Sequence, residues 1–414
     1  MASLATMFKA GILVLALLGS APTLAGAVEF SVKRGINLDI WTTWPDEKLW
    51  GDEAAILPYP EWRQFLARPD LDRLKQTGFD FVRMPVDPAP FLSDKTLALR
   101  DKLYASVQES VRLANEAGLK VVVDLHLIPS DVRSFDMGKV MDEPGSFDAY
   151  VEFVRKMAYA LSQQDPALVA FEPMNEPVID CDDAESLWPQ RLQRLFAAAR
   201  ASATRLTLVL SGACYSSAAQ LARIDPEMIA DDNIIWTFHS YEPFLLTHQG
   251  ATWAGDFIRY VTGLPYPLHE APRAELDAER KKIRARIKAE APFTRRLGML
   301  AYLDEQIALM DTQQELDALM DSPLDKVAAW AQKHGISPHN ILLGEFGMIR
   351  QEYGNPHVVP PPYRAAYVAD MVERAERHGF AWAVWSYGGA FGVVDEFEGR
   401  RAEPDVLETV RRLQ

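Results

Sequence analysis

From residue 34 onward, short apolar runs of strand length alternate with longer stretches whose apolar residues recur every three or four positions. The short runs are Gly35 to Ile40, Phe79 to Met84, Leu119 to Asp124, Leu168 to Phe171, Leu206 to Leu210, Ile234 to Phe238, Ile341 to Leu343 and Phe380 to Trp385. Helical spacing fills Leu103 to Ala117, Phe147 to Ser162, Glu185 to Thr204, Pro323 to His334 and Tyr363 to His378. Gly118, Gly335 and Gly379 stand where a helix ends in a left-handed residue. Eight such alternations predict an α/β fold, a closed (β/α)8 TIM barrel of parallel strands. An open doubly wound sheet also alternates, but it would carry a Gly-rich turn after its first strand, where this chain has Gly35-Ile36-Asn37-Leu38-Asp39.

The regular spacing breaks once, between Phe238 and Asn340. After Tyr241-Glu242-Pro243 comes an apolar and aromatic stretch to Pro267, then a helical segment of mixed charge from Ala274 to Glu290. This predicts a long, mostly helical insertion between strands 6 and 7, at about 243–322, lying over or beside one end of the barrel and belonging to the same domain. At the amino terminus, Lys9 precedes an apolar run from Ala10 to Leu18, and Ala25-Gly26-Ala27 offers a small-residue cleavage site. The run is shorter than the roughly 20 residues a membrane span needs. Residues 1–27 are therefore expected to be a signal peptide, residues 28–414 the folded domain, and the protein periplasmic or extracellular.

Composition narrows the partners. A chain with 48% hydrophobic and 24% charged residues and a net charge of −15 can build a large core, and its acidity argues against nucleic acid or an anionic membrane as a ligand. Its two cysteines, Cys181 and Cys214, both follow strand ends, and export would permit either a disulfide or two free thiols.

In a barrel the carboxyl ends of all strands share one face, so the residues that end each run should meet. They are polar and aromatic: Arg83 in Phe81-Val82-Arg83-Met84-Pro85, His126 in Asp124-Leu125-His126, Asn175-Glu176-Pro177, His239-Ser240-Tyr241-Glu242, Glu345 between Gly344 and Gly347, and Trp385. Glu176 and Glu345 would face each other from strands 4 and 7. A pair of carboxylates across a pocket is what glycoside hydrolysis needs, one as nucleophile or base and one as acid. Glu176 suits the acid/base, kept protonated by desolvation and by the charge of Glu345; Glu345 suits the nucleophile, kept ionised by Arg83. Glu172 adds a third acid, read as a barrel-interior carboxylate paired with a base. No His-x-x-x-His or His-Glu-x-x-His pair occurs, so neither a metal nor another cofactor is expected.

These residues, in this order, resemble glycoside hydrolase family 5, the cellulase family of the clan A barrels, over Arg34 to about Asp395 apart from the insertion. The resemblance implies a retaining double displacement with Glu176 as acid/base and Glu345 as nucleophile. It further implies that Asn175 bonds the sugar 2-hydroxyl, that Tyr241 touches the nucleophile, that Arg83, His126 and His239 support them, and that Trp385 stacks on a sugar. Apolar sugar faces stack on aromatic rings, and Trp41, Trp44, Trp50, Tyr59 and Trp62 in the first loop, with Tyr215, Phe244, Trp253 and Tyr387 after strand ends, are candidates. Trp41 is the foremost of these.

The expected activity is that of a monomeric endo-β-1,4-glucanase acting on a polysaccharide or oligosaccharide. Rivals sharing the same residues are a β-mannanase and a β-glycanase trimming an exopolysaccharide. A non-catalytic carbohydrate-binding barrel would need neither glutamate.

Overall fold

The computed structural model describes residues 30–39, 46–57, 66–127, 135–182, 186–393 and 404–413. The signal-peptide reading of residues 1–27, and Trp41, Trp44, Tyr59 and Trp62, lie outside them. Among the described residues, eight parallel strands close into a barrel in chain order: β1 Arg34–Asn37, β2 Phe81–Val86, β3 Lys120–Leu125, β4 Val169–Glu172, β5 Thr207–Ser211, β6 Ile234–His239, β7 Ile341–Phe346 and β8 Ala381–Val384. β1 pairs with both β2 and β8, which completes the ring. Every strand falls within a few residues of its apolar run.

Side chains alternate across each strand, so the two faces carry different chemistry. The outward face, with Val82, Met84, Val121, Val123, Phe171 and Leu208, packs in one core with the surrounding helices. The inward face begins with a small apolar plug of Phe81, Val122, Ala170, Val209, Ile235, Leu342 and Ala383, which Phe30 and Val32 join. Phe81 fills the space beside Gly35, where an added Cβ would sit 2.4 Å from its ring. Further along the inward face come Asn37 and Arg83, in register on β1 and β2, and then Asp124 and Glu172, in register on β3 and β4 one inward layer beyond them. The barrel interior thus changes from apolar to polar within two residues of each strand.

The helices match the predicted segments to within a turn at each end, with one exception. The last helix before β7 runs Gln313–Lys333, ten residues earlier than its expected start, with Pro323 in its interior. Thr312 caps the helix, accepting from the Glu315 N–H, and Pro323 is carried inside. Between β6 and β7 stand also the helices Arg273–Glu290 and Arg296–Ala308, so the connection is mostly helical as expected. Trp50 was a candidate sugar platform, but it is fully buried and belongs to the core.

Candidate active site

Most of the residues singled out in the sequence converge at the carboxyl end of the barrel. Arg83 is its buried centre. It lies in the middle of β2 rather than after it, with no exposed surface. Its Nε and Nη2 donate to the two oxygens of Glu172 at 2.8 and 2.9 Å. Nη1 donates to Glu345 Oε1 at 2.7 Å and to Asn37 Oδ1 at 3.0 Å. Nη2 also donates to Asn175 Oδ1 at 2.6 Å and stands 3.1 Å from Asp124 Oδ2. Only a planar guanidinium can serve so many acceptors in fixed directions. Glu172 is thus a barrel-interior carboxylate paired with a base.

Glu345 sits inside β7, one residue before its end, and Glu176 in the loop four residues past β4. Tyr241 donates its hydroxyl to Glu345 Oε2 at 2.9 Å. His239 Nδ1 lies 2.6 Å from Glu176 Oε1 and 3.6 Å from Glu345 Oε2. One oxygen of each glutamate and a ring nitrogen of His239 all lie within 4.8 Å of one another. Gly344 allows this approach, because a Cβ there would come within 2.5 Å of Thr237 Oγ1 and 3.1 Å of His239 Nε2. His126 Nδ1 is 2.8 Å from Asp124 Oδ2, its Nε2 faces the Asn175 amide at 3.4 Å, and its ring stacks on Trp385 at 5.3 Å. Two carboxylates and an imidazole at this spacing could also hold a divalent cation, a donor set invisible to motif spacing because the residues come from three strands.

Burial sets the protonation states. Desolvation pushes Glu176 up to about 7, with the charge of Glu172 adding to it and those of His126 and Arg83 opposing. Of the two expected causes, desolvation is the main one, and the carboxylate charge that adds to it is that of Glu172 rather than Glu345. Glu345 is also pushed up by burial and by the charge of Glu176, while Arg83 opposes the rise. Arg83 and Tyr241 both donate to Glu345, which favours its ionised form. Desolvation drives His239 down to about 3, so it is neutral. Asp124 and Glu172 are each raised to about 7 by burial, against the pull of Arg83.

Sequence reasoning missed two members, Asn37 and Asp124, as parts of the site. Asn37 donates its amide to Gly344 O at 3.0 Å and accepts from Arg83, tying β1 to β7. Both are polar residues on an inward face of the barrel: Asn37 pairs with Arg83, and Asp124 with Glu172. The cysteines are paired, with Cys181 and Cys214 joining the loops that follow β4 and β5.

The family description Cellulase (glycosyl hydrolase family 5) matches residues 62–391. Endoglucanase C of Acetivibrio thermocellus is 25% identical over 239 residues, which cover 57% of this chain and 65% of that relative. The match therefore spans less than two thirds of the relative's own length. Among solved structures, the cellulose synthase subunit Z of Clostridioides difficile aligns with a TM-score of 0.62 at 21% identity, covering 92% of this chain and 99% of the other. Thermotoga maritima Cel5A, solved with cellobiose, aligns with a TM-score of 0.63 at 19% identity, covering 92% and 98%. The same enzyme has been solved with mannotriose. These structural likenesses establish the barrel fold.

Proposed function

The chain belongs to glycosyl hydrolase family 5, and from that premise we propose that it is an exported, retaining endo-β-1,4-glucanase. The observation that carries the reading is the distance between Glu176 and Glu345. Retaining glycosidases hold their two carboxyl groups about 5 to 5.5 Å apart and inverting ones about 6.5 to 9.5 Å. Carboxylate oxygens within 4.8 Å fit the shorter class and leave no room for a water between carboxylate and sugar.

In this reading, Glu345 attacks the anomeric carbon while Glu176 protonates the departing glycosidic oxygen. Glu176, now ionised, then takes a proton from the water that releases the glycosyl enzyme. Arg83 and Tyr241 hold both oxygens of Glu345 in place for attack. Neutral His239 orients Glu176 through a 2.6 Å contact. Asn175, with its Oδ1 held by Arg83, presents its amide N–H to the sugar, and Trp385, backed by the His126 ring, offers a stacking face. Export rests on the leader-like amino terminus and on the Cys181–Cys214 disulfide, a bond of oxidising compartments.

β-1,4-Glucan is the leading substrate because the relatives include endoglucanases and a cellobiose complex. A β-mannan is the second reading, supported by the mannotriose complex of the same neighbour. The test is reducing-sugar release from carboxymethyl cellulose, barley β-glucan, mannan and xylan by the wild type, Glu176→Gln and Glu345→Gln. Release from a glucan, lost by several orders of magnitude in both variants, is the expected outcome. Equal activity in wild type and variants would overturn the roles of the two glutamates.

A further inference from the structure

The chain as a whole is acidic, with a net charge of −15, but one segment reverses the sign. From Arg280 to Arg296 stand eight basic residues and one acid, Glu290, a net charge of +7. The segment belongs to the insertion between β6 and β7, where the helices Arg273–Glu290 and Arg296–Ala308 pack as a pair joined by a turn at Phe293–Arg295. Leu276, Ile283 and Ile287 bury one face of the first helix. Its other side borders an open groove lined by Arg280, Lys281, Arg284 and Lys288. Arg280 and Arg284 share one carboxylate, Asp304, at 3.3 and 2.7 Å, and Asp277 lies 3.9 Å from Arg280. Lys281 and Lys288 are exposed and pair with no carboxylate among the described residues.

The tip of the same hairpin is apolar. Phe293 is 84% exposed and Leu297, four residues on, 82%, more than any other large apolar side chain among the described residues. The Arg296 guanidinium lies 5.9 Å from the Phe293 ring, and Arg295 pairs with Asp256. Adjacent apolar side chains held this far into water mark a surface that meets another apolar phase.

Apolar knobs beside unpaired cations are what an interfacial lipid contact needs: Phe and Leu enter the boundary between headgroups and acyl chains, and Lys and Arg meet the phosphates while staying hydrated. A soluble acidic polymer would match the lysines but leave Leu297 in water. We propose that the tip of this hairpin, Phe293 and Leu297 with the basic groove of Lys281 and Lys288 beside them, docks the protein reversibly on a membrane surface of anionic phospholipid. The net acidity of the chain does not oppose this, because screening confines the attraction to charges within about 10 Å of the lipid. Asp256, held by Arg295, is three residues from Trp253, whose ring lies 5.4 Å from His248, itself 5.0 Å from Tyr241. Docking would thus bring the catalytic end of the barrel toward the lipid, and it is independent of the reaction at Glu176 and Glu345.

The test is co-flotation of the mature protein with vesicles of phosphatidylglycerol and phosphatidylcholine, and with vesicles of phosphatidylcholine alone. Wild type is compared with the double variants Phe293→Ser/Leu297→Ser and Lys281→Glu/Lys288→Glu. All four side chains are exposed, so both variants should keep the wild-type unfolding midpoint. The expected result is binding to the anionic vesicles alone, weakening as salt is raised. Each basic residue near an anionic surface strengthens binding about fivefold, so the lysine variant should bind at least about twentyfold more weakly. Removing two inserted apolar side chains should cost at least about tenfold. Equal binding to neutral vesicles, insensitivity to salt, or undiminished binding by either double variant would overturn the proposal. So would a wild type that binds no vesicle; its retention on dextran sulfate would then assign the basic groove to a soluble acidic polymer instead.

Discussion

Replacing Arg83 by lysine keeps the positive charge and removes the fork. The guanidinium makes five hydrogen bonds of 2.6 to 3.0 Å, to Glu172 twice and to Glu345, Asn175 and Asn37 once each. An ammonium has three donors on one nitrogen, so at least two of these bonds are lost. Each bond to a charged group contributes about 1.5 to 3 kcal/mol, and a buried acceptor left short of a donor adds its desolvation penalty. The variant should therefore lose about 3 to 6 kcal/mol of stability. Activity should suffer separately, because Glu345 Oε1 loses the donor that aims it. A displacement of about 1 Å at a reacting group costs on the order of a hundredfold. Urea unfolding followed by circular dichroism reads the first effect, and kcat on a soluble glucan at saturating substrate reads the second. Stability within about 1 kcal/mol of wild type, together with kcat within about threefold, would refute the view that Arg83 organises the site.

Other outcomes follow from the same geometry. With Glu176 raised to about 7 and acting as the acid, kcat/KM should fall as pH rises through about 7, as Glu176 loses its proton; a profile flat from pH 5 to 9 would sink that assignment. Glu172 and Asp124 titrate near 7 when folded and near 4 when unfolded, so the native state binds more protons between those values and stability should fall as pH rises from about 4 to 7. Glu172→Gln should flatten that dependence in denaturant unfolding at several pH values, and an unchanged slope would argue against a protonated Glu172. Tyr241→Phe removes one donor from Glu345 and should lower kcat about tenfold to a hundredfold with little change in unfolding midpoint. Zinc ion should inhibit competitively through Glu176, His239 and Glu345, with reversal by a chelator; calorimetry showing no zinc binding to the wild type would rule this out.

What the linear sequence determined is what depends on short-range pattern. Short continuous apolar runs, set between stretches of period-3.6 hydrophobicity, place every strand to within a few residues, and the count of eight alternations decides the barrel, because a buried parallel strand needs an apolar run and a crossover helix needs an apolar stripe. The candidate carboxylates were legible for the same reason, since polar residues must begin where an apolar strand ends. Only the closed barrel decided who meets whom. Arg83 binds Glu172 across 89 residues of chain and Glu345 across 262, and no local pattern encodes such a pairing. Asn37 and Asp124 entered the site by strand register, a long-range property that a one-residue slip would reverse. Trp50 looked like a sugar platform and proved to be core, since composition cannot tell an indole facing solvent from one facing helices. The pairing of Cys181 with Cys214, open in the sequence, followed from β4 and β5 being neighbours, which brings their loops together. Protonation was decided last and furthest from the sequence: burial inside the barrel, a property of the whole ring of strands, raises Glu176 toward the pH at which an acid must work.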